Sequence, residues 1–209
     1  MFAEPNVTDR GAAALRDRGA LRVSQPGPAL PDPSDALVPR IRRGDERAFE
    51  TLFRTHYHAL CEFATRYVHE SALAEELVQD LFADLWTKRA TWSIRESVRA
   101  YLFAAARHRA LNLRKRQIME SDWEQDQASD VHVLHPVPEM ADAALERADL
   151  RARLDAALEA LPERCRLVMH LRWREQMRYA EIAAVMGISV KGVEIQLARG
   201  LAAIRQRFV

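Results

Sequence analysis

Three groups of side chains in this chain have the types and spacing for molecular recognition. Lys191, Glu194, Ile195, Gln196 and Arg199 fall in one helix-patterned stretch near the C-terminus. A carboxylate there can accept from a cytosine amino group, a guanidinium can reach a guanine edge or a phosphate, and a branched aliphatic can touch a thymine methyl. Arg99, Arg107, Arg109, Arg114 and Lys115 form a second group, within residues 97–116, suited to backbone phosphates. Such contacts supply affinity but little sequence information. His108 and Asn112 lie one turn apart in the same stretch and can hydrogen-bond bases held out of the stack. Trp92 and Tyr101 can either stack on such bases or pack in a core. The third group is Glu76, Gln79 and Asp80, an acidic face beside an apolar ridge, which suits a partner helix bearing arginines.

This is recognition chemistry, not reaction chemistry. No phosphate-binding loop, nucleophile motif or pair of catalytic carboxylates stands out, so neither enzyme activity nor a cofactor is expected. His56 and His58 are spaced i, i+2 and cannot share one helix face. His132 and His135 lie in an aperiodic stretch without a nearby cysteine, so no metal site is expected.

The elements that must position these groups are all helical. In residues 179–208, Ile182, Val185 and Met186 share one face, and Val193, Leu197, Leu201 and Ile204 recur at i, i+4, i+8 and i+11. Gly187 can take the left-handed backbone of a tight inter-helix turn, and Ser189 is placed to cap the second helix. This predicts a helix-turn-helix whose second helix enters the major groove. Upstream, Ser34 and Asp35 read as a cap, and Gly44-Asp45 breaks and restarts the helix. Phe49, Leu52, Phe53, Tyr57, Leu60, Phe63, Ala64 and Tyr67 then carry an apolar face to about His69. Ser71 reads as the cap of a helix over 72–88, with Leu73, Leu77, Leu81 and Leu85 on one ridge and Val78, Phe82 and Trp86 on the next. A third helix is predicted over 97–116, with Val98, Leu102, Phe103, Ala106 and Leu113 inward, and the three should form one bundle. Helicity resumes over 140–160 with Leu145, Leu150, Leu154 and Leu158 inward. Pro162 then starts a helix as a first-turn proline, and that helix carries Val168, Leu171 and Trp173.

With no strand pattern, the expected fold is all-α: two small helical domains joined by a flexible acidic linker, the second holding the helix-turn-helix. The expected boundaries are a disordered extension over 1–33, a helical domain over 34–117, the linker over 118–139 and the second domain over 140–209. The 209 residues, 48% hydrophobic, suffice for one or two small cores. No apolar run approaches a membrane span and no signal core follows the N-terminus, so membrane insertion is not expected and a cytoplasmic location is. Cys61 and Cys165, each in an apolar-periodic segment, read as buried free thiols. The net charge of +1 hides strong patterning. Residues 97–116 hold six bases and no acid, while 117–139 hold six acids and no Lys or Arg. Adjacent blocks of opposite sign imply local partners, not a uniform field.

Four stretches, in order, resemble the extracytoplasmic-function class of the sigma-70 family. They are LVPRIRRGDERAFETLFRTHYHAL, AEELVQDLFADLWTKR, SVRAYLFAAARHRALNLRKR and LPERCRLVMHLRWREQMRYAEIAAVMGISVKGVEIQLARGLAAIR. The resemblance implies a protein that binds core RNA polymerase and directs it to promoter DNA. Its first domain would read the −10 element and its second the −35 element. It implies that the Glu76, Gln79 and Asp80 face docks a coiled coil of the largest polymerase subunit. It implies that His108 reads the −10 strand, that the acidic linker threads the polymerase cleft, and that an anti-sigma factor covers both working faces. Gly192 departs from the Thr or Ala that relatives carry in the recognition helix. A self-sufficient helix-turn-helix repressor or activator is the alternative; it leaves the acidic helix and the acidic linker without a task.

Overall fold

Residues 32–94, 97–121, 153 and 156–208 are described by the structure, a computed structural model. The expectations for 1–31, for the linker beyond Ser121 and for Leu145, Leu150 and Leu154 lie outside these residues.

A 3-10 segment, Pro33–Leu37, leads into α1, Val38–Arg42. Its cap is Asp32, whose carboxylate accepts from the Ser34 N–H at 2.9 Å, and not the Ser34-Asp35 pair. Those two side chains point inward to longer-range partners. The Ser34 hydroxyl meets His56 Nε2 at 2.7 Å, and Asp35 Oδ1 accepts from the Val98 N–H at 2.8 Å. Gly44, at φ 87°, breaks the helix as expected. Asp45 then caps α2, Glu46–Val68, accepting from the Ala48 N–H at 3.1 Å. His69 closes α2 in the left-handed region at φ 58°. α3, Ser71–Thr87, begins one residue earlier than predicted: Ser71 is its first residue, and Glu70 holds the cap position without a side-chain bond. α4, Val98–Ser121, runs five residues past Arg116. Gln117, Ile118, Met119 and Glu120 are adequate helix formers, but Ile118 and Met119 are exposed and add nothing to the inward stripe that marks the rest of the helix.

α2, α3 and α4 pack as one bundle. The predicted inward residues fill it: Leu52, Leu60 and Phe63 from α2, Val78, Leu81 and Phe82 from α3, Val98, Leu102, Phe103 and Ala106 from α4. Aromatic edges lock the seams, with Phe53 4.9 Å from Phe82 and Phe63 5.1 Å from Phe103 between ring centroids.

Residues 156–159 are helical, with Ala157 buried and Leu158 half-buried as expected, and α5, Glu163–Met169, follows. Pro162 occupies the cap position, extended at φ −52°, ψ 139°, rather than the first turn. α5 does not continue as a regular helix. His170–Arg174 form a π turn, in which the Glu175 N–H donates to the His170 carbonyl at 3.2 Å. Val168 and Leu171, three residues apart, are buried, while Trp173, two residues past Leu171, turns outward to 42% exposure. α6, Tyr179–Met186, ends at Gly187 with φ 63°, and Ser189 Oγ accepts from the Gly192 N–H at 3.0 Å to cap α7, Val190–Phe208. Val193 and Leu197 are fully inside, and Leu201 and Ile204 half so. α5 and α7 touch closely at Gly200, where a Cβ would run into Met169 Sδ and lie 3.1 Å from Cys165 Sγ. Cys61 and Cys165 are both free thiols, Cys61 half-buried and Cys165 buried. Among the described residues there is no strand, and no helix is long and apolar enough to cross a membrane.

Candidate functional site

Rotation of α7 is set by burying Val193 and Leu197, and this turns Lys191, Ile195 and Arg199 to the surface. Glu194 and Gln196 are half-buried at its edges. Lys191 Nζ pairs with Glu194 Oε2 at 3.0 Å. Ile195 is an exposed aliphatic side chain beside them, at 42%. One short face therefore offers a cation, an anion and an apolar contact, the mix that separates base pairs in a major groove.

The groups on α4 divide into two surfaces. His108 and Asn112 stand exposed, and Asn112 Nδ2 meets His108 Nδ1 at 3.3 Å, so the two act as one polar unit. Lys115 is exposed beside them in sequence. The arginines are engaged. Arg109 donates to Asp84 Oδ2 at 2.5 Å, and this bond, first, with help from Lys88, holds the Asp84 carboxyl below its ordinary pKa. Arg114 pairs with Glu163 at 3.0 Å. Arg99 donates to the Glu175 carbonyl at 2.8 Å and lies 3.8 Å from the Asp32 carboxylate. Arg107 is half-buried, and its Nη1 lies 4.0 Å from where a Cβ on Gly187 would stand.

Trp92 is only 5% exposed and packs in the core, its ring 5.8 Å from that of Tyr101. Of the two aromatics only Tyr101, at 38%, presents a face. It borders an open recess of about 320 Å³ that Asp84, Lys88, Trp92 and Arg109 also line. On α3, Glu76, Gln79 and Asp80 all face solvent, opposite the buried Leu77, Val78 and Leu81. The Gln79 amide donates to Tyr57 Oη at 3.3 Å, which ties this face to α2.

Several consequential residues carry no local sequence signal. Ser97 Oγ donates to Glu181 Oε1 at 2.6 Å while accepting from the Ala100 N–H at 3.2 Å, so one hydroxyl caps α4 and grips α6. Glu181 also accepts from the Arg178 N–H at 2.8 Å. Burial pushes the Glu181 pKa up, but the bonds from Ser97 and Arg178 outweigh it, and the carboxyl sits below its ordinary value. His170 lies in the same region, with Phe63 stacked at 6.2 Å. Burial, then the cations Arg66 and Arg174, lower its pKa to about 3. It is therefore neutral near pH 7, and its 3.5 Å approach to Glu175 is no ion pair. The one sequence clue was negative: Glu181 is a charged residue among the apolar positions of α6.

Residues 52–118 match Sigma-70 region 2, and residues 151–204 match Sigma-70, region 4. The RNA polymerase sigma-E factor of Streptomyces coelicolor is 32% identical over 79% of this chain and 89% of its own. The ECF RNA polymerase sigma-E factor of Escherichia coli is 26% identical over 80% of this chain and 90% of its own. Among solved structures, CnrH in complex with the cytosolic domain of CnrY is 26% identical with a TM-score of 0.56, over 83% of this chain and 96% of that one.

Proposed function

The chain belongs to the sigma-70 family, in its extracytoplasmic-function class, and on that footing we propose how its surfaces divide the work. It is a sigma factor: it binds core RNA polymerase and directs it to promoters. α3 docks the polymerase through Glu76, Gln79 and Asp80. α4 engages the −10 element, with His108 and Asn112 on unpaired bases and Arg99, Arg107, Arg114 and Lys115 on phosphates. Tyr101, at the rim of the recess, is the stacking surface for a base leaving the duplex. α7 reads the −35 element through Lys191, Glu194, Ile195, Gln196 and Arg199. The boundaries proposed for the two working domains are 34–117 and 140–209, with the acidic stretch 118–139 between them. The chain supplies no catalysis of its own; reaction chemistry belongs to the polymerase, in the cytoplasm where that enzyme acts.

The observation that carries the polymerase assignment is the segregation of α3. Its apolar ridge is buried in the bundle, and its acidic face is left open across two turns. A self-sufficient repressor has no use for such a face. The relative CnrH is held by another protein's cytosolic domain; a protein inhibitor of that kind, an anti-sigma factor, is the regulatory partner proposed here.

Reversing two charges tests the assignment. The Glu76→Arg, Asp80→Arg variant should keep its helical circular dichroism and fail to co-purify with core polymerase. Co-purification at the wild-type level would overturn the docking face.

A further inference from the structure

A cationic rim lies beside the recess, apart from the contacts of α4 and α7. Arg40, Arg42 and Arg43 are exposed on and just after α1, whose buried residue is Ile41. α1 packs on the 3-10 turn Arg89–Thr91, which follows α3. The approach is close at Gly44, where Arg89 Nε lies 3.9 Å from the position a Cβ would take. Lys88, also exposed, adjoins Arg89. Cations from two distant stretches of sequence therefore meet at one rim. The acids among them are mostly engaged. Asp45 caps α2 through the Ala48 N–H and pairs with Arg40 at 2.7 Å. Asp84 serves Arg109 at 2.5 Å and Lys88 at 3.9 Å. Glu46 faces solvent. Arg42 and Arg43 have no ion-pair partner among the described residues. Arg89 is pinned: its guanidinium lies 4.3 Å over the Trp86 ring, and its Nη1 donates to the Trp86 carbonyl at 2.7 Å. Its other N–H groups make no hydrogen bond among the described residues. A guanidinium fixed in this way loses little entropy when an acceptor arrives.

We propose that this rim is a track for the phosphates of single-stranded DNA, with Lys88 and Arg89 at its entry and Arg42 and Arg43 beyond. The proposal rests on the assignment of α4 to the −10 element and α7 to the −35 element. Continuity is the first argument. Lys88 and Thr91 line the same recess as Tyr101, the surface assigned to an unstacked base, so a strand leaving the recess past Lys88 arrives at Arg89. Polarity is the second. α7 reads a major groove, so the DNA between the two elements is duplex. An unpaired strand can continue only on the side of the −10 element away from the −35 element, and the rim therefore takes the strand downstream. Chemistry is the third. No large apolar side chain is exposed on the rim, Ile41 is fully enclosed, and Arg89 lies over the Trp86 ring. A protein partner would lack an anchor there. Guanidinium and ammonium groups alone suit phosphates, and they add affinity and salt dependence at any sequence.

The test uses holoenzyme reconstituted from core polymerase and the full chain, on a promoter that it transcribes from genomic DNA. Two fork DNAs of that promoter share the duplex through the −35 element and an unpaired −10 strand. In the short fork that strand stops at the −10 element; in the long fork it continues to the start site. The Arg42→Gln, Arg43→Gln variant should bind the short fork as the wild type does. On the long fork it should bind about tenfold more weakly, with a salt slope lower by about 1.4, at about 0.7 per phosphate on a single strand. Arg89→Lys keeps the charge but gives up the planar donors held over Trp86, and it should lose part of the same gain. Equal binding of the long fork by wild type and the double variant would overturn the track. Equal weakening on both forks would also overturn it, and poorer co-purification with core would then mark the rim as a polymerase contact. A short fork bound no better than its duplex by the wild-type holoenzyme would instead unseat the −10 assignment, and the track with it.

Discussion

Lys191 and Glu194 hold each other at 3.0 Å on the open face of α7, so neither substitution is silent for its neighbour. Glu194→Ala should relax base preference at one or two positions of the −35 element, a loss of about 1–3 kcal/mol there. Lys191→Ala should weaken binding at every sequence and lower the salt slope by about 1, while releasing Glu194 to its base. Transcription from a −35 library separates the two profiles, and an unchanged preference with Glu194→Ala would remove α7 as the reader. The glycines make a second pair of opposites. Gly192, conspicuous in the sequence as a departure from relatives, has only ordinary contacts of 3.4 to 3.5 Å around the position a Cβ would take. Gly192→Ala should leave thermal stability unchanged or raise it by up to about 1 kcal/mol. Gly200 attracts no notice in the sequence, yet a methyl there meets Met169 Sδ. Gly200→Ala should cost about 1–3 kcal/mol by overpacking the seam between α5 and α7, read as a lower melting temperature. The difference was not legible because Gly200 depends on a helix more than thirty residues upstream.

At the scale of the element, α4 was legible as a helix and as a basic surface, but not in its allegiances. Its inward stripe, Val98, Leu102, Phe103 and Ala106, is periodic and therefore visible in one dimension. Its capping is only half so: Ser97 accepts locally from the Ala100 N–H, but Asp35, which accepts from the Val98 N–H, comes from 63 residues upstream. Nor does a run of arginines reveal which are spoken for, and Arg99, Arg109 and Arg114 each have a partner. His108 and Asn112 remain the exposed polar pair. With polymerase bound, His108→Ala and Asn112→Ala should each slow strand opening in a promoter-dependent way. Arg114→Ala should weaken engagement evenly across promoters. Permanganate footprinting over the −10 element distinguishes them; wild-type melting by all three would reassign the helix. The other element not legible in the sequence is the π turn at His170–Arg174. A period-based reading assumes a constant turn, and a five-residue widened turn carries no signature in the apolar spacing.

At the scale of the whole molecule, the contact between halves was invisible because it joins residues 49 to 119 apart in the chain that have no shared period. It nevertheless brings a buried histidine against cations, and that has a sign in pH. His170 is held neutral with a pKa of about 3 by burial and by Arg66 and Arg174, against an ordinary 6.5. Burial also lowers the pKa of His56, the largest influence on it. A group whose folded pKa is depressed binds more protons unfolded than folded between the two values, so stability falls as pH drops through that window. Two carboxylates, Glu181 and Glu175, face the same region. Glu181 is shifted down and destabilises only on acidification through the carboxylate range, while Glu175, raised chiefly by burial, acts with the opposite sign there. Between about pH 6.5 and pH 5 His170 alone should account for roughly 2 kcal/mol, against which Glu175 works in the opposite direction. Urea unfolding near pH 7.5 and near pH 5 measures this. His170→Gln gives up the ring stacked on Phe63 and should be less stable at the higher pH. Its loss of stability on acidification should nonetheless be smaller than that of the wild type. If the two proteins lose the same amount between those pH values, His170 is protonated without penalty in the folded chain, and the dry, cation-lined contact between the halves is not the environment it meets in solution.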